Sequence, residues 1–156
     1  MVAHGWNHLF GGGKLDGTAR WFESIGMRPG RLHAWSASVT ELVSGVLLLL
    51  GFLTPLAAAG VVGVMVVAWV TAHLGNGFFI FRPGQGWEYV MTLAVVAVAV
   101  AGLGPGDWSL DARLSVGDDL TGMTGVALSS ALGVGSAAFV LTAFWRPARG
   151  ERSAGG

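Results

Sequence analysis

Long apolar stretches broken by short polar ones dominate this chain, and the repeat is too long for strands. Four stretches reach the roughly 17–25 residues that an α-helix needs to cross a hydrocarbon core of about 30 Å. They are residues 32–53, 55–73, 87–103 and 120–145. The first two meet at Thr54-Pro55. Their combined length, and a proline suited to the first turn of a helix, predict a hairpin rather than one long helix. Gly104-Pro105-Gly106 ends the third stretch and Arg146-Pro147 the fourth. A shorter segment, residues 16–26, places Ala19, Phe22 and Ile25 on one stripe with Arg20 and Glu23 off it. That pattern predicts a helix lying along the membrane interface, with Asp16 capping its start and Gly26 ending it. The expected fold class is therefore all-α: an integral membrane helical bundle with four transmembrane helices.

Composition agrees. The chain has 156 residues, of which 53% are hydrophobic and only 12% charged. A soluble domain carries about 25% charge. The formal net charge of zero argues against a basic surface for nucleic acid. There is no cysteine, which removes disulfides, thiolate chemistry and Cys-ligated iron–sulfur clusters.

Four crossings put residues 1–31, the 75–86 loop and the C-terminal tail on one side. That side holds Lys14, Arg20, Arg28, Arg31, Arg82, Arg146, Arg149 and Arg152. The other holds Arg113 beside Asp107, Asp111, Asp118 and Asp119. The positive-inside rule makes the first side cytoplasmic, with the C-terminus there. Trp35, Trp87 and Trp145 mark that interface and Trp108 the opposite one.

Small residues recur at helical spacing. Gly125, Ser129, Gly133 and Ala137 form a stripe on the last span, and Ala34, Ser38, Glu41 and Gly45 one on the first. Tight packing inside one bundle is one reading. Docking of a further subunit through residues 120–145, as a homo- or hetero-oligomer, is the other.

Glu41 is the residue that chemistry singles out. A carboxylate at the centre of a membrane helix costs about 2.5–3.5 kcal/mol on insertion scales, so it faces the bundle interior and needs a partner. Counting from the Thr54 turn places Glu41 about six residues deeper than His73, roughly 9 Å at 1.5 Å per residue. The opposed Cβ tilts of antiparallel helices bring the two side chains toward each other. Trp69 would wall the space between them, and Glu88 would open the third span in the same cytoplasmic-side pocket. His4 joins this group, whereas His8 and His33 read as surface residues. A metal site from His4, His73, Glu41 and Glu88 has suitable ligand types. The Glu-x-x-His pair of di-iron bundles is missing, so no metal is expected.

Several motifs, in order, resemble the DoxX family of small bacterial membrane proteins. They run from His4-Gly5-Trp6-Asn7-His8-Leu9-Phe10-Gly11-Gly12-Gly13-Lys14 and Trp21-Phe22-Glu23-Ser24-Ile25-Gly26 to Thr40-Glu41-Leu42-Val43-Ser44-Gly45. Gly51-Phe52-Leu53-Thr54-Pro55-Leu56-Ala57-Ala58 follows, then His73 with Gly77-Phe78-Phe79, Trp87-Glu88-Tyr89 and the 104–111 segment. The resemblance covers residues 1–111. It leaves 112–156 as a periplasmic linker, an extra transmembrane helix and an Arg-rich cytoplasmic tail within one structural domain. The family's first helix normally precedes the His-Gly motif, and only Met1-Val2-Ala3 stand before His4 here. The expectation is that the upstream reading frame encodes about 15–20 further apolar residues, enough to complete a crossing.

The resemblance implies a four-helix domain of the bacterial inner membrane, associated with respiratory or thiol-linked redox systems and with a protein partner in a redox complex. Relatives include the membrane subunit of a thiosulfate:quinone oxidoreductase. With it, the polar group reads as a quinone headgroup site built from Glu41, His73, Glu88, Trp69, His4 and Phe79. His73 would donate a hydrogen bond, Glu41 would relay a proton, and Trp69 and Phe79 would flank the ring. Two rivals stand beside it: a non-catalytic membrane anchor or assembly subunit, and a small proton-coupled transporter. The transporter reading lacks visible inverted repeats.

The charge split sets a first test. A reporter fused after Gly156 should report the cytoplasm, and one inserted at Asp118 the periplasm. The reverse pattern would invert the topology.

Overall fold

The computed structural model describes residues 1–147, all-helical apart from loops and turns. Its helices are α1 (Val2–Phe10), α2 (Lys14–Ser24), α3 (Gly30–Leu50), α4 (Thr54–Ala68), α5 (Glu88–Leu103), α6 (Leu110–Leu114) and α7 (Gly122–Phe144). α4 runs on through a π-helical turn, Trp69–His73, and a 3-10 turn, Leu74–Asn76. Three helices are long and apolar enough to cross a membrane: Gly30–Leu50, Thr54–Asn76 and Gly122–Phe144. α5 has the composition of a span but only 16 residues, roughly 24 Å of helix. The expected bundle is present, with its third member shorter than a full crossing. Arg149, Arg152 and the rest of the tail lie outside the described residues.

The burial pattern is that of a membrane bundle, with small residues inside and large ones outside. Ala34 and Ser38 on α3, Ala58 on α4, Ala101 on α5 and Ser129 on α7 are fully buried. Leu49, Leu103, Met123 and Phe139 point outward, where lipid covers them. The stripe on α7 is used within the chain. A Cβ on Gly133 would come within 2.9 Å of the Ala59 carbonyl oxygen, and one on Gly125 would strike the Ala101 carbonyl. Gly125, Ser129, Gly133 and Ala137 are therefore the seam between α7 and the α4–α5 pair. They are not free to form the subunit-docking face that was the alternative.

α2 packs on the bundle rather than only floating at its edge. Ala19 and Phe22 are buried with Met27 and Ala34, against Val67, Val140 and Trp145. Its start is capped neither by Asp16, which sits in the first turn, nor by any other side chain. Gly26 follows the helix with φ +88°, a backbone that glycine adopts freely. Glu23 reaches across to accept from the Gly30 backbone N–H at 3.3 Å, placing a carboxylate at the N-terminus of α3. Met27 and Trp145 form an isolated antiparallel bridge. Arg146 N–H donates to the Gly26 carbonyl at 2.8 Å, and Trp145 Nε1–H to the Ile25 carbonyl at 3.0 Å. The end of α7 is thus stitched to the α2–α3 junction.

Asp111 holds the opposite end. The hairpin between α3 and α4 turns through Gly51 and Leu53, both left-handed at φ +58° and +48°. The first N–H groups of α4 need acceptors. Asp111 supplies them: Oδ1 accepts from Leu53 N–H at 2.8 Å, and Oδ2 from Thr54 N–H at 3.2 Å and the Thr54 hydroxyl at 3.0 Å. Asp111 N–H in turn donates to the Gly51 carbonyl at 3.0 Å. Asp111 stands in a polar segment between spans, yet it is buried and binds the hairpin.

Asp111→Ala leaves two backbone N–H groups and one hydroxyl at this turn without their acceptor. It should lower stability by about 1–3 kcal/mol, read as an earlier thermal transition of the detergent-solubilised protein. Asp119→Ala, at an exposed position, should leave the transition where it is.

Candidate functional site

α1 runs beside α3, and glycine makes the approach close. A Cβ on Gly5 would lie 2.7 Å from the Ser38 carbonyl oxygen, and one on Gly45 would lie 2.6 Å from Val2 Cγ2. His4 and His8 stand four residues apart on α1 and share its inward face. The result is a cavity of about 530 Å³ bordered by α1, α2, α3, α4, α5, α7 and the 80–86 loop, and open on one side. Its volume is within the usual range for small-molecule sites, about 300–1,000 Å³.

All four histidines of the chain line this cavity, together with Glu41. His8 Nε2 lies 3.4 Å from Glu41 Oε2. That is ion-pair distance, but the contact does not have hydrogen-bond geometry, and Glu41 Oε2 is buried without a hydrogen-bond partner. His33 is 4% exposed, with its ring between Phe22 and Phe144 at centroid distances of 6.0 and 5.1 Å. Its Nε2 is likewise buried and unpartnered. His8 and His33 are thus not the surface residues expected. Thr40 and Thr71 add hydroxyls to the lining, and Val64, Val67, Ala68, Leu93 and Val140 give it apolar walls.

The other expected residues divide. His73 lines the cavity, but its Nδ1 pairs with the Gln85 carbonyl at 2.9 Å, so the polar contact foreseen between His73 and Glu41 is replaced by two separate ones. Asn76 Nδ2 reinforces the same loop by donating to the Gly84 carbonyl at 2.7 Å. His4 lines the cavity beside Tyr89, whose hydroxyl is 3.5 Å from His4 Nε2. Glu88 does not line it: its Oε2 accepts from Ile80 N–H at 3.2 Å on an exposed turn. Phe79 also lies off the cavity and stacks on Phe81, with centroids 5.1 Å apart. Trp69 packs on Trp87 at 6.0 Å behind the lining, its Nε1 buried without a partner. Among the described residues, no three His, Asp or Glu side chains converge as a metal ion requires.

His8 was legible in principle. His4-x-x-x-His8 is a helical spacing, and Gly5 between them marks a close helix contact. The Thr54 turn sets relative depth only for the two spans it joins, and α1 lies outside them.

The Glu41–His8 contact sets a test of its own. His8→Leu removes the polar neighbour of a buried carboxyl group and should cost about 1–3 kcal/mol, while Glu41→Leu/His8→Leu should recover most of that loss. Thermal denaturation of the two single variants and the double variant measures the coupling. Additive losses would mean the two side chains do not act as a pair.

Residues 1–74 match the DoxX family profile. A Mycobacterium tuberculosis membrane protein, described only as uncharacterized, is 33% identical over 102 residues. That alignment covers 60% of this chain and 63% of the relative, so the chain spans less than two thirds of the relative's length. No solved structure matches. The matched segment holds α1 to α4 and the π-helical turn, and with them Glu41 and all four histidines. Over these 74 residues the chain is similar to the DoxX family, and its long apolar helices are those of a multi-pass membrane protein.

Proposed function

We propose that the cavity receives a quinone headgroup from the cytoplasmic leaflet, and that the protein serves as the quinone-interacting membrane subunit of a redox complex. The observation that carries this reading is the gathering of Glu41 and all four histidines around one largely apolar space inside a membrane bundle. A quinone is apolar over its faces and tail and polar only at its oxygens. It needs hydrogen-bond partners there, and it exchanges two protons with its surroundings as it takes up two electrons.

The residues suit those demands. A buried, unpartnered Glu41 oxygen accepts a hydrogen bond from a hydroquinone hydroxyl, and His8 beside it holds or passes the proton. His4, Tyr89 and His73 continue the polar lining toward the 80–86 loop, a route for protons to water on the cytoplasmic side. Val64, Val67 and Leu93 give the ring and first tail carbons apolar contact. The chain has no cysteine for a Cys-ligated cluster, so electrons reach the site from a partner protein.

The rival is a non-catalytic anchor in which Glu41 and His8 are a structural pair. Mass spectrometry of organic extracts separates the two. The quinone reading expects near-stoichiometric quinone with the purified wild-type protein. It also expects a loss of at least half of that quinone in Glu41→Gln at unchanged thermal stability. Wild-type protein free of quinone after extraction from native membranes would favour the anchor.

A further inference from the structure

Two polar atoms of this cavity are buried without a hydrogen-bond partner: Glu41 Oε2, which has His8 Nε2 at 3.4 Å, and His33 Nε2. Both residues are 4% exposed and both line the space. An unpaired polar atom held away from water is costly, of the order of 1–3 kcal/mol. A ligand that pairs with it recovers that cost.

Their spacing is informative. His33 and Glu41 are eight residues apart on α3, which sets their backbones about 12 Å apart along the helix axis. Both side chains lean toward the N-terminus of α3, so the tilt leaves this separation nearly unchanged. Ala37 lies one turn from each and also faces the cavity, where its methyl leaves room. A ring carrying oxygens at its 1 and 4 positions spans about 5 Å between them. Adding a hydrogen bond of about 2.8 Å at each end gives about 11 Å. The rise of α3 between the two residues is therefore close to the length of one para-substituted dioxygen ring with a hydrogen bond at each end.

We infer that His33 is the second anchor of the site: the ligand lies along α3 over Ala37, one oxygen at Glu41 and His8 and the other at His33. The inference rests on the proposed quinone reading and deepens it, because it makes the site select for a second, opposed oxygen. His33 is held for that role. Phe22 and Phe144 fix its ring, and the Met27–Trp145 bridge closes the protein beside it. A ligand with a single oxygen satisfies only one end. It leaves the other polar atom as it is in the empty cavity.

The test uses the full-length protein in lipid nanodiscs and titration calorimetry with 2-decyl-1,4-hydroquinone. The controls are the two decylphenols that lack one or the other hydroxyl, so that the tail contributes equally. Wild type should bind the hydroquinone roughly tenfold tighter than either phenol, the value of about one net hydrogen bond. His33→Phe should bring the hydroquinone down to the level of the phenols, and His33→Asn should recover part of the difference. Equal wild-type affinity for hydroquinone and both phenols would overturn the two-ended arrangement without any variant having to fold. So would a His33→Phe protein that binds hydroquinone as wild type does, and in that case weakening by Glu41→Gln would leave the headgroup reading standing. Wild-type protein that binds none of the three compounds would overturn both.

Discussion

Lipid tails solvate an apolar helix about as well as another helix does, so this bundle is held by how closely its backbones approach. The decisive approach is that of α7 to α4 and α5. Gly133 lies against Val62 and the Ala59 carbonyl, Gly63 answers from α4 against Ser136, and Gly125 lies on the Ala101 carbonyl. Side chains of any size at these points would push the helices apart. That seam brings Ser136, Ala137 and Val140 up to the cavity, and the stitching of Trp145 and Arg146 to residues 25–27 keeps them there. At the far end Asp111 fixes the turn between α3 and α4, and so their alignment. Glu41 on α3 and the α4 wall opposite it depend on that alignment.

The polar groups sit in what these contacts enclose. Gly5 lets α1 lie on Ser38, and this delivers His8 to Glu41. The π-helical turn at Trp69–His73 changes the register of α4 at its end. His73 there faces Gln85 on the loop rather than the carboxylate across the bundle. A small distortion of one helix and a glycine on another thus decide which histidine the buried carboxylate meets.

The sequence is most readable where one rule governs. Hydrophobic run length locates α3, α4 and α7 to within a few residues, and the spacing of Gly125, Ser129, Gly133 and Ala137 marks the packed face of α7. Burial of Glu41 follows from its place in an apolar run. Its partner does not follow, because partner choice depends on α1, which length alone does not mark as a membrane element. His33 stands near a helix start, a position that usually means an interface, and only the packing of α2 and α7 over it encloses it. Asp111 lies in a polar loop, and its role requires knowing that this loop folds back onto a turn 58 residues away in sequence.

The stitching of α7 to the α2–α3 junction has a consequence for how such a protein diverges. Glu41 and the histidines lie within the first 74 residues, but α5 and α7, which close the space around them, lie beyond that segment. Chemistry and enclosure thus lie on different stretches of one chain. Substitutions at Leu93 or Val140 reshape what the space admits without touching any ionisable group. Two relatives can therefore agree at every titratable position in their matched segments and still accept molecules of different girth.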